Sequence, residues 1–178
     1  MAAGQARSWL AGVMHEPRTI TPEDPRSPEG RRVLESFFAE VIGRYWGRPA
    51  TAAEVEQEMV SDPSDDLRDD TGFLLVVREG TQVLGCGGVR FVGPGVGEVT
   101  RVYIAPAARG NGVGRSLIDE LEAVSVRRGL HTLRLTVRRD LSEAHRLYQR
   151  RGYRPVAPFS DSPYAHHQLA KTLDASTS

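Results

Sequence analysis

Between an apolar strand and an amphipathic helix the chain carries Arg109-Gly110-Asn111-Gly112-Val113-Gly114, and this segment limits the fold more than any other. Glycine lets a backbone approach a ligand closely, and the first amides of a helix have no acceptor inside it. With the helix dipole and the cations of Arg109 and Arg115, those amides suit an anion such as a diphosphate. The strand at 98–104 must lead in. The helix leading out carries Val113, Leu117, Leu121 and Val124 on one side and ends at Arg127, Arg128 and Gly129. Spacing separates the phosphate loops that could occupy such a place. A Walker A loop needs Lys and then Ser or Thr after its last glycine, whereas Gly114 is followed by Arg115. A dinucleotide fingerprint needs G-x-G-x-x-G, and here the sixth position is Arg115. The pattern that remains is R-x-x-G-x-G.

The rest of the chain builds an α/β domain around this turn. Pro17, Pro22 and Pro25 leave room for one short strand at 18–21. Ser27-Pro28 reads as a helix start, followed by the apolar stripe Val33, Leu34, Phe37, Phe38, Val41, Ile42 and Tyr45. Thr51 and Glu54 form a capping box for a second helix that runs to about residue 60, before an acidic loop. The period changes to two at Phe73: an antiparallel hairpin follows, with Gly85-Cys86-Gly87-Gly88 marking a bulge or a close backbone approach. A Gly/Pro turn at 93–97 precedes the strand at 98–104. Later elements are a strand at 132–137, a helix at 141–151 with Asp140 and Glu143 as its capping pair, and strands at 153–156 and 167–173. The order predicts a single-domain mixed sheet, mostly antiparallel, flanked by helices.

Composition removes other classes. Of 178 residues, 23 are basic and 23 acidic, and no apolar run reaches the roughly 18 residues needed to span a bilayer. The apolar run 9–14 is too short for a signal sequence and has no cleavage site after it. Cys86 is the only cysteine, which excludes an internal disulfide and a Cys-ligated zinc site and makes a reducing cytoplasm the expected location. The neutral total hides a dipole: residues 101–154 hold 12 Arg against five acids, whereas 54–70 hold eight acids against Arg68. That acidic segment could steer a cationic molecule.

The R-x-x-G-x-G turn, the whole stretch EVTRVYIAPAARGNGVGRSLIDELE, and SEAHRLYQRRGYRP at 142–155 together resemble the GCN5-related N-acetyltransferase superfamily, of the small-molecule type. The resemblance implies an acetyl-CoA-dependent N-acetyltransferase domain over residues 17–174, between a flexible extension at 1–16 and a polar tail at 175–178. It implies that Val102, Tyr103 and Ile104 meet the pantetheine arm of acetyl-CoA. Arg109, Gly110, Asn111, Gly112, Val113, Gly114 and Arg115 would then hold the diphosphate. Glu98 matches the general base of relatives, and also reads as an exposed strand-edge carboxylate. Tyr148 matches their general acid, and also reads as a core tyrosine with its hydroxyl satisfied. Tyr45 and Tyr164 fall where relatives build the acceptor pocket, or are ordinary aromatic packing. Small-molecule relatives often carry Trp-Phe-Glu-Lys where this chain has Gln168-Leu169-Ala170-Lys171.

The expected acceptor is therefore a primary amine of a small molecule, attacked directly in a ternary complex. Acetylation of a protein or peptide N-terminus and a catalytically silent acyl-CoA-binding module are the competing readings. No metal is expected, because His166 and His167 are adjacent on a strand and point to opposite faces. Nucleic acid and membrane are not expected partners: the Arg-rich segment already has an anionic guest and lacks interleaved aromatics. A homodimer stays open.

Overall fold

The computed structural model describes residues 16–174; the expected extension up to residue 15, the apolar run 9–14 and the tail 175–178 lie outside the described residues. In chain order the elements are β1 (Arg18–Pro22), α1 (Pro28–Trp46), α2 (Ala52–Ser61), β2 (Gly72–Glu79), β3 (Gln82–Gly93), β4 (Val96–Ile104), a 3₁₀ turn (Pro106–Ala108), α3 (Val113–Arg127), β5 (Thr132–Val137), α4 (Ser142–Arg150), β6 (Arg154–Pro155) and β7 (His167–Thr172). The strands form one sheet in the order β1-β2-β3-β4-β5-β7-β6. Every neighbouring pair is antiparallel except β4 with β5.

The helix starts follow local chemistry. Ser27 Oγ accepts from the Gly30 amide at 2.9 Å, and Thr51 and Glu54 bond each other's amides at 3.2 and 2.8 Å. The capping pair expected for α4 does not form. Its N-cap is Leu141, without a side-chain cap, while Asp140 accepts two bonds from Arg138 at 2.5 and 2.7 Å and Glu143 pairs with Arg44 of α1. Charge-assisted bonds to guanidinium are stronger than bonds to neutral amides, so the two carboxylates turn to the arginines.

Apolar burial on both faces explains why β2 reads as a continuous run. Phe73, Leu75 and Val77 join the larger core with α3, while Leu74 and Val76 join a smaller one with Val33 and Leu34 of α1. Gly87 serves a close approach: a Cβ there would stand 3.0 Å from Leu121 and 3.3 Å from Leu117 of α3. The apolar stripe of α1 divides its work. Val33, Leu34 and Phe38 are buried, whereas Phe37, Val41, Ile42 and Tyr45 line a cleft.

That cleft comes from a parting of strands. β4 and β5 pair only from Val96 opposite Thr132 to Glu98 opposite Arg134. Beyond Glu98, β5 stays with β7 while β4 continues along β3 alone, so β4 has an edge facing the gap without a strand partner. Among the described residues no helix is long and apolar enough to cross a membrane.

Candidate active site

The gap opens into a cleft of about 480 Å³ whose lining includes Glu98 and Val102 of β4, Tyr148 of α4, Tyr45 of α1 and Tyr164 of the loop before β7. The sequence left these residues scattered over more than a hundred positions. Glu98 Oε2 accepts from Arg134 Nε at 3.0 Å, and the Arg134 guanidinium lies 4.2 Å from the Phe159 ring centroid. Glu98 Oε1 has no protein partner among the described residues, so one oxygen is held and the other stays available. Tyr148 is 5% exposed and packs edge-on against Tyr153 at 5.6 Å. Its hydroxyl also has no hydrogen-bond partner among the described residues, and burial pushes its phenol above the usual tyrosine value. A buried phenol with a raised pKa stays protonated, in the form that can donate.

The glycine turn sits past the far end of β4. Gly110 and Gly112 take φ of 80° and 74°, and a Cβ at either would meet nothing within 4 Å. The left-handed backbone requires glycine, and the space above it is open. Gly112 is the N-cap of α3 and supplies no side-chain cap, and the amides of Gly110, Asn111 and Gly112 donate to no backbone carbonyl among the described residues. Unmet amides, a helix dipole and room above them fit a diphosphate group such as that of CoA. Gly114 packs inward instead, where a Cβ would stand 3.1 Å from Leu147.

The two cations of the turn differ. Arg115 is 71% exposed, with one weak contact to Asp119 at 3.9 Å. Arg109 is tied back, donating to the Ile104 carbonyl at 3.0 Å and to Glu40 of α1 at 2.8 Å. Tyr103 and Ile104 lie outside the cleft lining: Tyr103 packs against the smaller core and Ile104 against the larger one.

Residues that sequence reading missed complete the acceptor end. Trp46 is 62% exposed and meets Tyr45 edge-on at 5.0 Å, and Tyr45 meets Tyr164 at 5.6 Å. Arg138 reaches the Tyr45 ring at 5.6 Å while Asp140 neutralises it. The acidic segment is largely neutralised at home: Glu54 pairs with Arg48, Glu56 with Arg31, Asp62 with Arg101, Asp66 with Arg90 and Asp69 with Arg68. Of its eight acids only Glu58 lines the cleft, and it has no ion-pair partner among the described residues. A lone helical carboxylate on the polar side of α2 gives no signal in sequence that separates it from its paired neighbours.

Cys86 is fully buried with its thiol pushed up to about 12 by burial, against a smaller opposing effect of Arg101. His166 Nδ1 accepts the Arg139 amide at 3.1 Å, and among the described residues no three His, Cys, Asp or Glu side chains gather as a metal site. His167 stacks on His145 of α4 with centroids 4.1 Å apart, and burial, then repulsion from His167, holds His145 below the usual histidine value. A lowered folded pKa means that folding prefers the neutral ring. This contribution is complete above about pH 6.5 and is lost as pH falls through the folded pKa. Thermal melts should therefore show Tm dropping below pH 6.5, with a shallower drop in His145→Gln; identical slopes would exclude the pair as a cause.

A parted parallel strand pair with a carboxylate and a phenol in the gap, beside an uncapped glycine turn, defines an enzyme that transfers an activated acyl group. Residues 36–153 match the model of the Acetyltransferase (GNAT) family. An IAA acetyltransferase of Azospirillum brasilense is 32% identical over 88% of this chain and 95% of its own. A Klebsiella pneumoniae chain solved as a candidate acyl-CoA N-acyltransferase superposes with a TM-score of 0.66 at 28% identity, over 88% of this chain and 98% of that one. A spermidine N-acetyltransferase of Vibrio cholerae, solved with CoA and spermine, shares the fold with a TM-score of 0.64 at 17% identity, over 88% of this chain and 95% of that one. The chain belongs to the GNAT acetyltransferase family, and it is an acyl-CoA N-acetyltransferase.

Proposed function

We propose that the cleft receives a primary amine of a small molecule and that the amine attacks the acetyl group of acetyl-CoA directly, in a ternary complex. The observation that carries this reading is the meeting of Glu98, Tyr148 and the unpaired edge of β4 in one cavity, with the N-terminus of α3 beyond the end of the same strand. Acetyl-CoA supplies an acyl carbon activated as a thioester. The amides of Gly110, Asn111, Gly112, Val113, Gly114 and Arg115 hold its diphosphate, with the exposed Arg115 charge close by. Val102, Tyr103 and Ile104 meet the pantetheine arm, and an amide at Val102 or Tyr103 donates to the acyl oxygen as negative charge builds there.

An alkyl ammonium with a pKa of about 10.4 leaves about one molecule in a thousand nucleophilic at pH 7. Glu98 Oε1 takes the surplus proton, directly or through water, while Arg134 fixes the other oxygen. The Tyr148 hydroxyl donates a hydrogen bond to the departing sulfur. Its proton moves late, since a phenol is a weaker acid than a thiol at about 8.5. Cys86, buried and protonated, offers no thiolate for a covalent route, which favours direct attack. The buried sole cysteine also suits a reducing cytoplasm.

A panel of small amines, polyamines and peptides with free N-termini, assayed for thiol release with acetyl-CoA, tests the reading. Release with small amines and an N-acetyl product is expected. Release with peptides alone would replace it with N-terminal acetylation. Glu58 gives a finer test. One exposed charge pair is worth about 1 kcal/mol, so Glu58→Gln should raise KM for a cationic amine about fivefold at low salt. The effect should shrink at high salt as screening sets in. An unchanged KM at both ionic strengths would remove Glu58 from the acceptor site.

A further inference from the structure

Arg101 takes φ 57° in the middle of β4, a region that long L side chains rarely enter. The register explains where this happens. Cys86 pairs with Tyr103 and Gly88 with Thr100, so Arg101 and Val102 together oppose Gly87 alone, as a β-bulge. A bulge re-aims the backbone on either side of it, and this one lies on the stretch of β4 that faces the gap. The conformation has unusual support. The Arg101 side chain is only 6% exposed, although arginine is rarely buried unless paired.

Its guanidinium donates to Ser64 Oγ at 2.9 Å and to the Asp62 carbonyl at 3.0 Å, and pairs with the Asp62 carboxylate at 2.8 Å. The same group lies 4.9 Å from the Phe38 ring centroid and 5.6 Å from that of Phe37. At the backbone end, the Arg101 carbonyl accepts the Cys86 thiol at 3.3 Å. One residue thus ties the bulge to β3, to α1 and to the segment after α2, and Phe37 and Arg101 both line the cleft.

We infer that Arg101 is a positioning residue: its guanidinium clamp locks the β4 bulge and so keeps an amide at Val102 or Tyr103 aimed across the gap, while holding α1 as the acceptor wall. The catalytic part of this inference rests on the acetyltransferase reading of the cleft.

Three variants separate clamp from backbone. Arg101→Met keeps bulk and removes the fork; Arg101→Gly removes the side chain yet accepts positive φ without strain; Asp62→Asn, at a half-exposed position, weakens the clamp without touching the strand. In the free protein, hydrogen exchange of the amides that bond β3 to β4 beside the bulge should quicken about tenfold or more in the two Arg101 variants. In turnover, kcat should fall about 10- to 100-fold while KM for acetyl-CoA stays within about twofold, the split expected when only transition-state alignment is lost. Asp62→Asn should move both readouts the same way by a smaller factor, and it decides the matter should Arg101→Met fail to fold. Wild-type exchange and kcat in Arg101→Met, or their recovery in Arg101→Gly, would overturn the clamp. Should the wild type itself bind no acetyl-CoA, the reading of the cleft fails, and the exchange result still decides whether Arg101 holds the bulge.

Discussion

Tyr148→Phe should lower kcat about 100-fold and leave acetyl-CoA affinity within about twofold, the range typical for a positioned proton donor. The ring would still pack against Tyr153 and fill the same space in the core, so folding should be nearly untouched. Only a hydroxyl is lost, and that hydroxyl has no hydrogen-bond partner among the described residues. Steady-state kinetics with calorimetric binding of CoA separates the two quantities. Because burial holds the phenol above its usual value, the wild-type rate should show no alkaline limb from Tyr148 below about pH 10. An unchanged kcat would make this residue a core tyrosine and nothing more.

Gly112→Val should weaken CoA binding about 30-fold, with kcat at saturating acetyl-CoA much less affected. Its φ of 74° is closed to a β-branched residue, and strain of this kind costs about 1–3 kcal/mol. A Cβ meets no protein atom there, so the loss would not come from core packing but from a displaced turn and an obstructed cradle. Gly47→Ala is the natural control, because Gly47 closes α1 at φ 65° far along the chain from the turn. It should cost stability and leave CoA affinity alone. Equal affinity for CoA in Gly112→Val and the wild type would mean that the turn does not hold the diphosphate.

Local chemistry was readable wherever a few neighbouring residues decide the outcome. Ser27-Pro28 and the Thr51/Glu54 box start their helices as expected, since cap and amide are three residues apart. The same logic failed at Asp140 and Glu143, where arginines supplied stronger partners than the amides of α4, one of them from a different helix. Glu98 and Tyr148 were legible as candidates through family resemblance, and the fold puts them in one cleft. Glu58, Trp46 and Arg138 were not, because each joins that cleft through tertiary packing with no local pattern of its own. The acidic stretch shows the same limit: as a sequence it is a block of charge, while in the fold five of its acids are spent on arginines.

The sequence alone determined the mixed α/β order, the glycine turn with its uncapped helix, and the membership that follows from them. These rest on hydrogen bonds and torsions spanning a handful of residues, which sequence records directly. The tertiary structure decided where β4 leaves β5, which carboxylate keeps a free oxygen, which acid at the cleft stays unpaired, and that Arg101 sits at φ 57° within a clamp built from residues 37, 38, 62 and 64. Each depends on groups distant in the chain competing for one partner or one space, and only the folded arrangement settles that competition.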